Sequence, residues 1–294
     1  MTNKPVIVFG EVLFDHFPDG SRVLGGAPFN VAWHLQAFQQ QPHFISRIGE
    51  DSTGETISAA MRQWAMDMTG LQRDKSHSTG SVKVSIEQGE PDYEILPEQA
   101  YDYIDAAALA APEGSGLLYH GTLALRHPPA ADALAQLKSR HQSRVFIDVN
   151  LRQPWWHKAD VLGWVSQAHW VKLNQHELAA LYPSSGELDA DMRAFRARYG
   201  LDGLIVTSGE HGASVIDNNG TLFNVTPQVI AQVVDTVGAG DAFSSVLLLG
   251  LNLDWPLPLT LERAQDFASA LVGQRGATVS DSAFYQTFIK AWAL

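Results

Sequence analysis

The sequence contains no cysteine among its 294 residues. Disulfides, thiolate nucleophiles and metal sites built on cysteine are therefore excluded. It also has no apolar run close to the roughly 20 residues that a membrane-spanning helix needs. The apolar run at residues 6–9 is too short for the central part of a signal peptide. These absences predict a cytoplasmic protein with no membrane partner.

Basic residues are scarce, with 20 Lys and Arg against 32 Asp and Glu, for a formal net charge of −12. The mean field of such a protein repels polyanions, so we do not expect nucleic acid as a partner. A local pocket for one nucleotide remains compatible with this charge. Hydrophobic residues make up 45% of the chain and predict a sizeable core, as in one large α/β domain.

Short apolar segments alternate with longer segments of helical period, which is typical of a parallel sheet with crossover helices. The apolar segments are nearly continuous, as expected when helices cover both faces of the sheet. The predicted core strands are residues 6–12, 44–48, 116–120, 145–149, 170–173 and 204–207. The predicted helices are residues 27–40, 52–66, 129–142, 158–168, 175–181 and 189–200.

Residues 79–96 break this alternation, because apolar and polar residues follow each other with period two around a turn at residues 89–92. This pattern predicts an antiparallel hairpin with one solvated face. The stretch 14–24 could pair beside it. Such a small sheet is either a lid over a site or an ordinary edge hairpin.

Residues 235–241 form a glycine-rich run between a strand-like stretch that ends at Val233 and Val234 and an apolar helical segment at 242–251. The run therefore opens a buried helix. Helix N-termini carry unpaired N–H groups and partial positive charge, and glycines let an anion approach them closely. A carboxylate in this place, Asp241, suggests a chemical role.

Phosphoryl transfer needs this combination of groups. Backbone N–H groups neutralise charge on the transferred phosphoryl group, and a carboxylate accepts the proton of the attacking hydroxyl. Near a helix N-terminus we expect Asp241 to be a weak base. The alternative is that Asp241 only caps the helix. A dinucleotide fingerprint would need glycine at position 243, where the chain has Phe243, and no P-loop pattern occurs.

The run 235–241 resembles the second signature of the ribokinase-like (PfkB) carbohydrate kinases. Other segments resemble the family's motifs in the family's order and cover essentially the whole chain: residues 10–15, 25–30, 47–54, 148–152, 172–177 and 207–212. The resemblance implies one three-layer α/β/α, Rossmann-like domain over residues 1–294. It also implies a β-sheet lid from about residues 13–24 and 79–104, and ATP-dependent phosphorylation of a sugar hydroxyl.

The resemblance also implies roles for single residues. Asp241 would be the general base, with an anion hole formed by the backbone of Gly238, Ala239 and Gly240. The sugar-binding residues would be Asp15, expected at the end of the first strand, together with Gly26, Asn30 and Arg152. The nucleotide-binding residues would be Asn174, Thr207, Gly209 and Gly212.

Two cation sites follow from the same resemblance. Asn174 and Glu177 would face Mg²⁺ through water, although their spacing also fits a helix-capping pair. The ligands of a monovalent cation, K⁺, would be the carbonyls of Asp235, Val237, Leu271, Gln274 and Gly276 and the hydroxyl of Ser280.

The motifs at 10–15, 25–30 and 148–152 look most like those of fructokinases. The nearest enzymatic alternative is a 2-keto-3-deoxygluconate kinase, for which Arg152 could bind the substrate carboxylate; another sugar or nucleoside kinase is also possible in the family. A sugar-binding regulator without activity is an alternative of another class. An NAD-dependent oxidoreductase is disfavoured by Phe243. A homodimer through the lid is left open by the sequence.

Overall fold

The computed structural model describes residues 4–87, 90–227 and 233–294, and this part of the chain contains thirteen strands and nine α-helices. The strands are β1 (Val6–Phe9), β2 (Leu13–His16), β3 (Arg22–Gly25), β4 (His43–Gly49), β5 (Leu71–Asp74), β6 (Gly80–Glu87), β7 (Glu90–Ile95), β8 (Leu117–His120), β9 (Arg144–Asp148), β10 (Trp170–Asn174), β11 (Gly203–Thr207), β12 (Ala213–Ile216) and β13 (Leu222–Val225). The helices are α1 (Ala27–Ala37), α2 (Ser52–Gln63), α3 (Pro128–Arg140), α4 (Lys158–Val165), α5 (Gln175–Leu181), α6 (Leu188–Tyr199), α7 (Ala239–Asn252), α8 (Leu257–Val272) and α9 (Ser282–Trp292).

The larger sheet has nine strands in the order β13-β12-β11-β10-β9-β8-β1-β4-β5. From β11 to β5 neighbouring strands run parallel, whereas β12 and β13 extend the sheet as antiparallel neighbours. Every predicted core strand lies in this sheet. Within this sheet the chain runs from β1 to β4 and β5 on one side, and then returns to β8 on the other side of β1. The strand order therefore switches at β1. In open α/β sheets, ligands bind at the carboxyl ends of the strands beside such a switch.

Helices cover both faces of the larger sheet, which confirms the three-layer α/β/α prediction. Successive residues of β1 alternate between the two cores: Val6 and Val8 face one, and Ile7 and Phe9 face the other. The first core contains buried residues of α1, α2, α7, α8 and α9, among them Phe29, Ile57, Val246, Phe267 and Tyr285. The second contains buried residues of α3, α4, α5 and α6, among them Leu134, Val161, Leu178 and Phe195.

The smaller sheet has four strands in the order β3-β2-β6-β7. It confirms the antiparallel hairpin and its pairing with the stretch that precedes α1. The predicted turn at residues 89–92 is wrong in part, because Glu90 already begins β7, and residues 88–89 lie outside the described residues. On one face Leu13 and Val82 pack against Tyr101 and Leu123.

The first strand is shorter than predicted, and this changes the position of Asp15. β1 ends at Phe9, and residues 10–12 lead directly into β2, which contains Asp15. Asp15 therefore lies in the smaller sheet, paired with Val23 and Val82, and not at the end of the first core strand. Gly10 and Glu11 interrupt the apolar residues at this point, and they were the sign of the break in the sequence.

Several helices end earlier than predicted, because the chain turns through left-handed residues. After α1, Gln39 and Gln41 have φ values of 61° and 47°, and after α2, Ala65 has 54°. These conformations cannot continue a right-handed helix. Residues 233–236 are not in a strand, and residues 228–232 of the predicted strand-like stretch lie outside the described residues. In the described part of the chain, no helix combines the length and apolar composition required to cross a membrane.

Candidate active site

The glycine-rich run opens helix α7 as predicted. Gly238 is the N-cap residue, in the left-handed region with φ 80° and with no side-chain cap. A Cβ at this position would lie 2.5 Å from Cβ of Ala277. The first helical turn leaves the N–H groups of Gly240 and Asp241 without a helical acceptor. The run therefore presents backbone donors and the positive end of a helix dipole toward the carboxyl edge of the sheet.

Asp241 is the third residue of α7, and it does not act as the N-cap. Its Oδ2 accepts a hydrogen bond of 2.8 Å from Nδ2 of Asn30 in α1. The residue keeps some contact with solvent, but protein atoms surround its carboxylate. This burial raises the pKa of Asp241 to about 6; nearby Asp148 raises it further, while the Asn30 hydrogen bond, Lys172 and Arg152 lower it. Asp241 is therefore a stronger base than its position near a helix N-terminus led us to expect, because its carboxylate is desolvated.

Beneath the first turn of α7 lies a buried ion pair that the site prediction omitted. Asp148, the last residue of β9, is the register partner of Lys172 in the middle of β10, and Nζ of Lys172 lies 2.7 Å from Oδ2 of Asp148. Oγ of Ser244 donates to the same oxygen at 2.7 Å, which ties the pair to α7. A Cβ on Gly240 would lie 3.5 Å from Nζ of Lys172. The signal available in the sequence was a charged residue within each of two apolar strands.

The predicted sugar-binding residues converge from different elements. Asp15 comes from the smaller sheet and Asn30 from α1, while Arg152 is an exposed residue of the loop after β9. Burial raises the pKa of Asp15 to about 6, and the Arg152 guanidinium lowers it. Arg152 acts in the same way on Asp241, so it lies within electrostatic range of both carboxylates. Gly26, with φ 105°, passes so close to Glu11 that a Cβ would lie 2.7 Å from the Glu11 carbonyl oxygen.

The predicted nucleotide residues lie further along the same edge of the sheet. Asn174 and Thr207 are register partners at the ends of β10 and β11. Gly209 and Gly212 follow in a short 3-10 turn, both with positive φ (57° and 90°). Of these two glycines, Gly209 has open space around its Cβ position, whereas Gly212 lies directly against the carbonyl of Val225. This turn therefore leaves an accessible backbone surface at Gly209.

Asn174 and Glu177 form the capping box that the spacing allowed. Asn174 Oδ1 accepts from the Glu177 N–H at 2.9 Å, and Glu177 Oε2 accepts from the Asn174 N–H at 2.8 Å. Oε1 of Glu177 accepts from the Leu151 N–H at 2.7 Å. Burial raises the pKa of Glu177. Within the described residues, no group of three or more His, Asp or Glu side chains is arranged to hold a metal ion.

The residues predicted around a monovalent cation lie in the loop before α7, in the last turn of α8 (Leu271) and in the loop after α8. The Asp235 carboxylate joins the loops, because it accepts from the N–H groups of Val237 and Gly276, each at 3.0 Å. Gly276 has a positive φ of 82°. The predicted carbonyl ligands are thus brought close together in the fold, while their role stays a prediction.

Replacing Gly238 by alanine tests the geometry of the α7 N-terminus. The side chain would collide with Ala277 and would be strained at positive φ. We expect the free energy of unfolding to fall by about 2–3 kcal/mol. We also expect kcat to fall about 100-fold, since the backbone donors would shift. Urea denaturation and an ADP-release assay would measure the two effects.

Gly220→Ala is the matched control, since Gly220 has nearly the same φ, 79°, with no atom closer than 3.9 Å to its Cβ position. It should lose only about 1 kcal/mol and keep its turnover. Equal effects of the two substitutions on kcat would argue against a special role of Gly238.

Comparison with known proteins identifies the family of this chain. Residues 8–283 match the model of the pfkB family carbohydrate kinases. The fructokinase of Salmonella typhimurium is 30% identical over 267 residues, covering 85% of each chain. A Vibrio cholerae fructokinase, a double mutant crystallised with fructose, ADP and potassium ion, has a TM-score of 0.82 at 25% identity, covering 97% of this chain and 98% of that one.

The fold is also shared with an enzyme of different specificity. The aminoimidazole riboside kinase from Salmonella enterica superposes with a TM-score of 0.82 at 24% identity, covering 97% of this chain and 99% of that one. Fold similarity alone therefore does not choose the substrate. The family match, together with the ordered motifs and the α7 N-terminus, does identify the general activity: the chain belongs to the pfkB family of carbohydrate kinases.

Proposed function

We propose that this carbohydrate kinase transfers the γ-phosphoryl group of ATP to fructose, giving fructose 6-phosphate, with Asp241 as the general base. One observation supports this most strongly. A carboxylate with a pKa raised to about 6 lies in the first turn of α7, beside backbone donors, with one oxygen held by Asn30. A base with a pKa near the working pH is suited to general-base catalysis.

The attacking hydroxyl would lie between Asp241, Asn30 and Asp15. Asn30 donates through Nδ2 to Asp241, while its Oδ1 is buried with no partner among the described residues. That free oxygen can accept a sugar hydroxyl. Asp15 would bind further hydroxyls from the smaller sheet, and in this proposal that sheet is the lid. The proton of the attacking hydroxyl passes to Asp241 as the O–P bond forms and the bond to ADP breaks.

The nucleotide and its cations would occupy the edge from α7 toward β11. The N–H groups of the α7 first turn would stabilise charge on the transferred phosphoryl group. Asn174, Thr207 and Gly209 would contact ATP. Each oxygen of Glu177 already accepts one backbone N–H, so its remaining lone pairs fit water-mediated contact with Mg²⁺ better than direct ligation. K⁺ would bind between the two loops joined by Asp235.

Fructose is favoured over an acidic sugar by the charges of the site. Arg152 is within electrostatic range of three carboxylates near the predicted sugar site: Glu11, Asp15 and Asp241. Its charge is therefore already balanced, and the site suits a neutral sugar better than a substrate with its own carboxylate. The similarity to the Salmonella typhimurium fructokinase supports the same substrate.

A substrate panel tests this proposal. With ATP and Mg²⁺, we expect kcat/KM for fructose to exceed that for ribose, 2-keto-3-deoxygluconate, nucleosides and fructose phosphates by at least about 100-fold, the loss expected when buried polar groups of a site stay unpaired. ADP release and the ³¹P spectrum of the product would be measured. A higher kcat/KM for any other member would overturn fructose. Turnover of none would overturn the kinase proposal in favour of an inactive sugar-binding protein.

A further inference from the structure

Glu11 is a buried carboxylate near the site, and the mechanism above does not use it. It lies in the short connection between β1 and β2, with only 2% of its surface exposed. Its Oε2 is buried and has no hydrogen-bond partner among the described residues. Burial raises the pKa of Glu11 to about 7, with Asp241 raising it and Arg152 and Arg126 lowering it. A buried acceptor without a partner is costly, so a role that requires it is expected at this position.

Arg126 supplies the complementary group. Its side chain is 2% exposed and makes a two-point contact with Asp102, Nε to Oδ1 and Nη2 to Oδ2, both at 2.7 Å. Its guanidinium also stacks on Trp155, 4.3 Å from the ring centroid. These contacts fix the plane of the guanidinium. Its Nη1 is buried and has no partner in the described part of the chain.

Both groups lie near Tyr101: Nη2 of Arg126 contacts the Tyr101 hydroxyl at 3.1 Å, and Tyr101 packs against Leu13, two residues after Glu11. Glu11 and Arg126 influence each other's pKa, which places them within electrostatic range, yet they form no ion pair within the described residues. Arg152 and Asp241 also act on Glu11: Asp241 raises its pKa and Arg152 lowers it. Its backbone also lies against Gly26, in the segment predicted to approach the sugar. A free acceptor and a free donor that do not reach each other can be bridged by a hydroxyl, which donates once and accepts as well.

We infer that Glu11 and Arg126 form a second hydroxyl-binding subsite, which recognises a hydroxyl of the sugar other than the one that is phosphorylated. Oε2 of Glu11 accepts from this hydroxyl and Nη1 of Arg126 donates to it. Glu11 is then a specificity-determining residue, because a sugar without that hydroxyl leaves both buried groups unpaired. The inference rests on the proposed function, since it takes fructose as the sugar bound at Asp15 and Asn30.

Deoxy analogues of fructose combined with a Glu11 variant test this subsite. We would measure kcat/KM of the wild type and of Glu11→Gln for fructose and for its 1-, 3- and 4-deoxy analogues. In the wild type, one analogue should lose about 10- to 100-fold, the effect of one hydrogen bond to a charged group. In Glu11→Gln, fructose should lose a comparable factor. The same analogue should lose little more, while the other analogues keep their wild-type ratios to fructose.

Matched controls separate this result from a structural effect. Asp266→Asn removes another carboxylate whose pKa burial raises, on α8, and should leave all four kcat/KM values unchanged. Thermal unfolding of Glu11→Gln shows whether the variant folds. If it does not, the deoxy series on the wild type still tests the subsite, because the inference requires one hydroxyl remote from the reacting position to dominate.

Two outcomes would overturn the inference while leaving fructose phosphorylation intact. One is a loss in Glu11→Gln that is the same for fructose and for every analogue, which would mean that a water molecule bridges Glu11 and Arg126 as part of the fold. The other is a wild type whose kcat/KM is the same for fructose and for all three deoxy analogues. Absence of fructose turnover in the wild type would instead contradict the proposed function itself.

Discussion

Asp241→Asn should lower kcat for sugar phosphorylation by about 1,000-fold, the middle of the range expected for loss of a general base. Asparagine keeps the shape of the side chain, and its amide oxygen can still accept from Asn30, which contacts Asp241 at 2.8 Å. It cannot accept the proton of the attacking hydroxyl. Initial rates at saturating ATP and fructose would measure the loss, and calorimetric titration should show that both ligands still bind.

The pH dependence of the wild type provides an independent check. Asp241 must be ionised to act as a base, and its pKa in the folded protein is raised to about 6. The rate should therefore fall as the pH decreases through about 6 and level off above it. Asp15 titrates in the same range, so kcat should be measured at saturating fructose, where Asp15 already contacts the sugar.

The asparagine variant should lose this acidic limb, because its residual rate no longer depends on the base. Asp254→Asn, a change of an exposed carboxylate paired with Lys4, is the control and should keep both the rate and the limb. A variant Asp241→Asn with more than a tenth of wild-type turnover would remove Asp241 from the mechanism.

Local patterns in the sequence predicted most of the fold. Continuous apolar segments identified the strands of the larger sheet, since burial on both faces selects such segments. Gly238 identified the start of α7, because few other residues could adopt its left-handed backbone. The spacing of Asn174 and Glu177 was enough to propose a capping box, which the structure contains.

Features that depend on contacts between distant segments could not be predicted in this way. Asn30 and Asp241 are separated by 211 residues, and their hydrogen bond exists only once α1 and α7 pack together. The position of Asp15 in the smaller sheet likewise depends on the pairing of β2 with β6, a strand from a distant part of the chain. The raised pKa of Asp241 is a further example, because desolvation depends on all the elements that surround the carboxylate.

Lys172→Met should have the largest effect on stability, lowering the free energy of unfolding by about 3–5 kcal/mol. Lys172 and Asp148 are 7% and 5% exposed, and removal of the ammonium leaves a buried carboxylate without its counter-charge. Ser244 still donates to Asp148, but a neutral hydroxyl compensates only part of the loss. Urea denaturation would measure the change. Because Lys172 lies under Gly240, we also expect kcat to fall in the folded fraction.

A second pair in the same chain provides the comparison that makes this prediction specific. Lys4 and Asp254 lie 2.8 Å apart, nearly the same distance as Lys172 and Asp148, but their side chains are 45% and 73% exposed. Lys4→Met should therefore cost less than about 1 kcal/mol, since water and salt screen an exposed pair. The double variant Asp148→Asn/Lys172→Met should recover part of the stability lost in Lys172→Met, because it removes the buried charge. If Lys172→Met is no more destabilising than Lys4→Met, the buried pair does not support the first turn of α7.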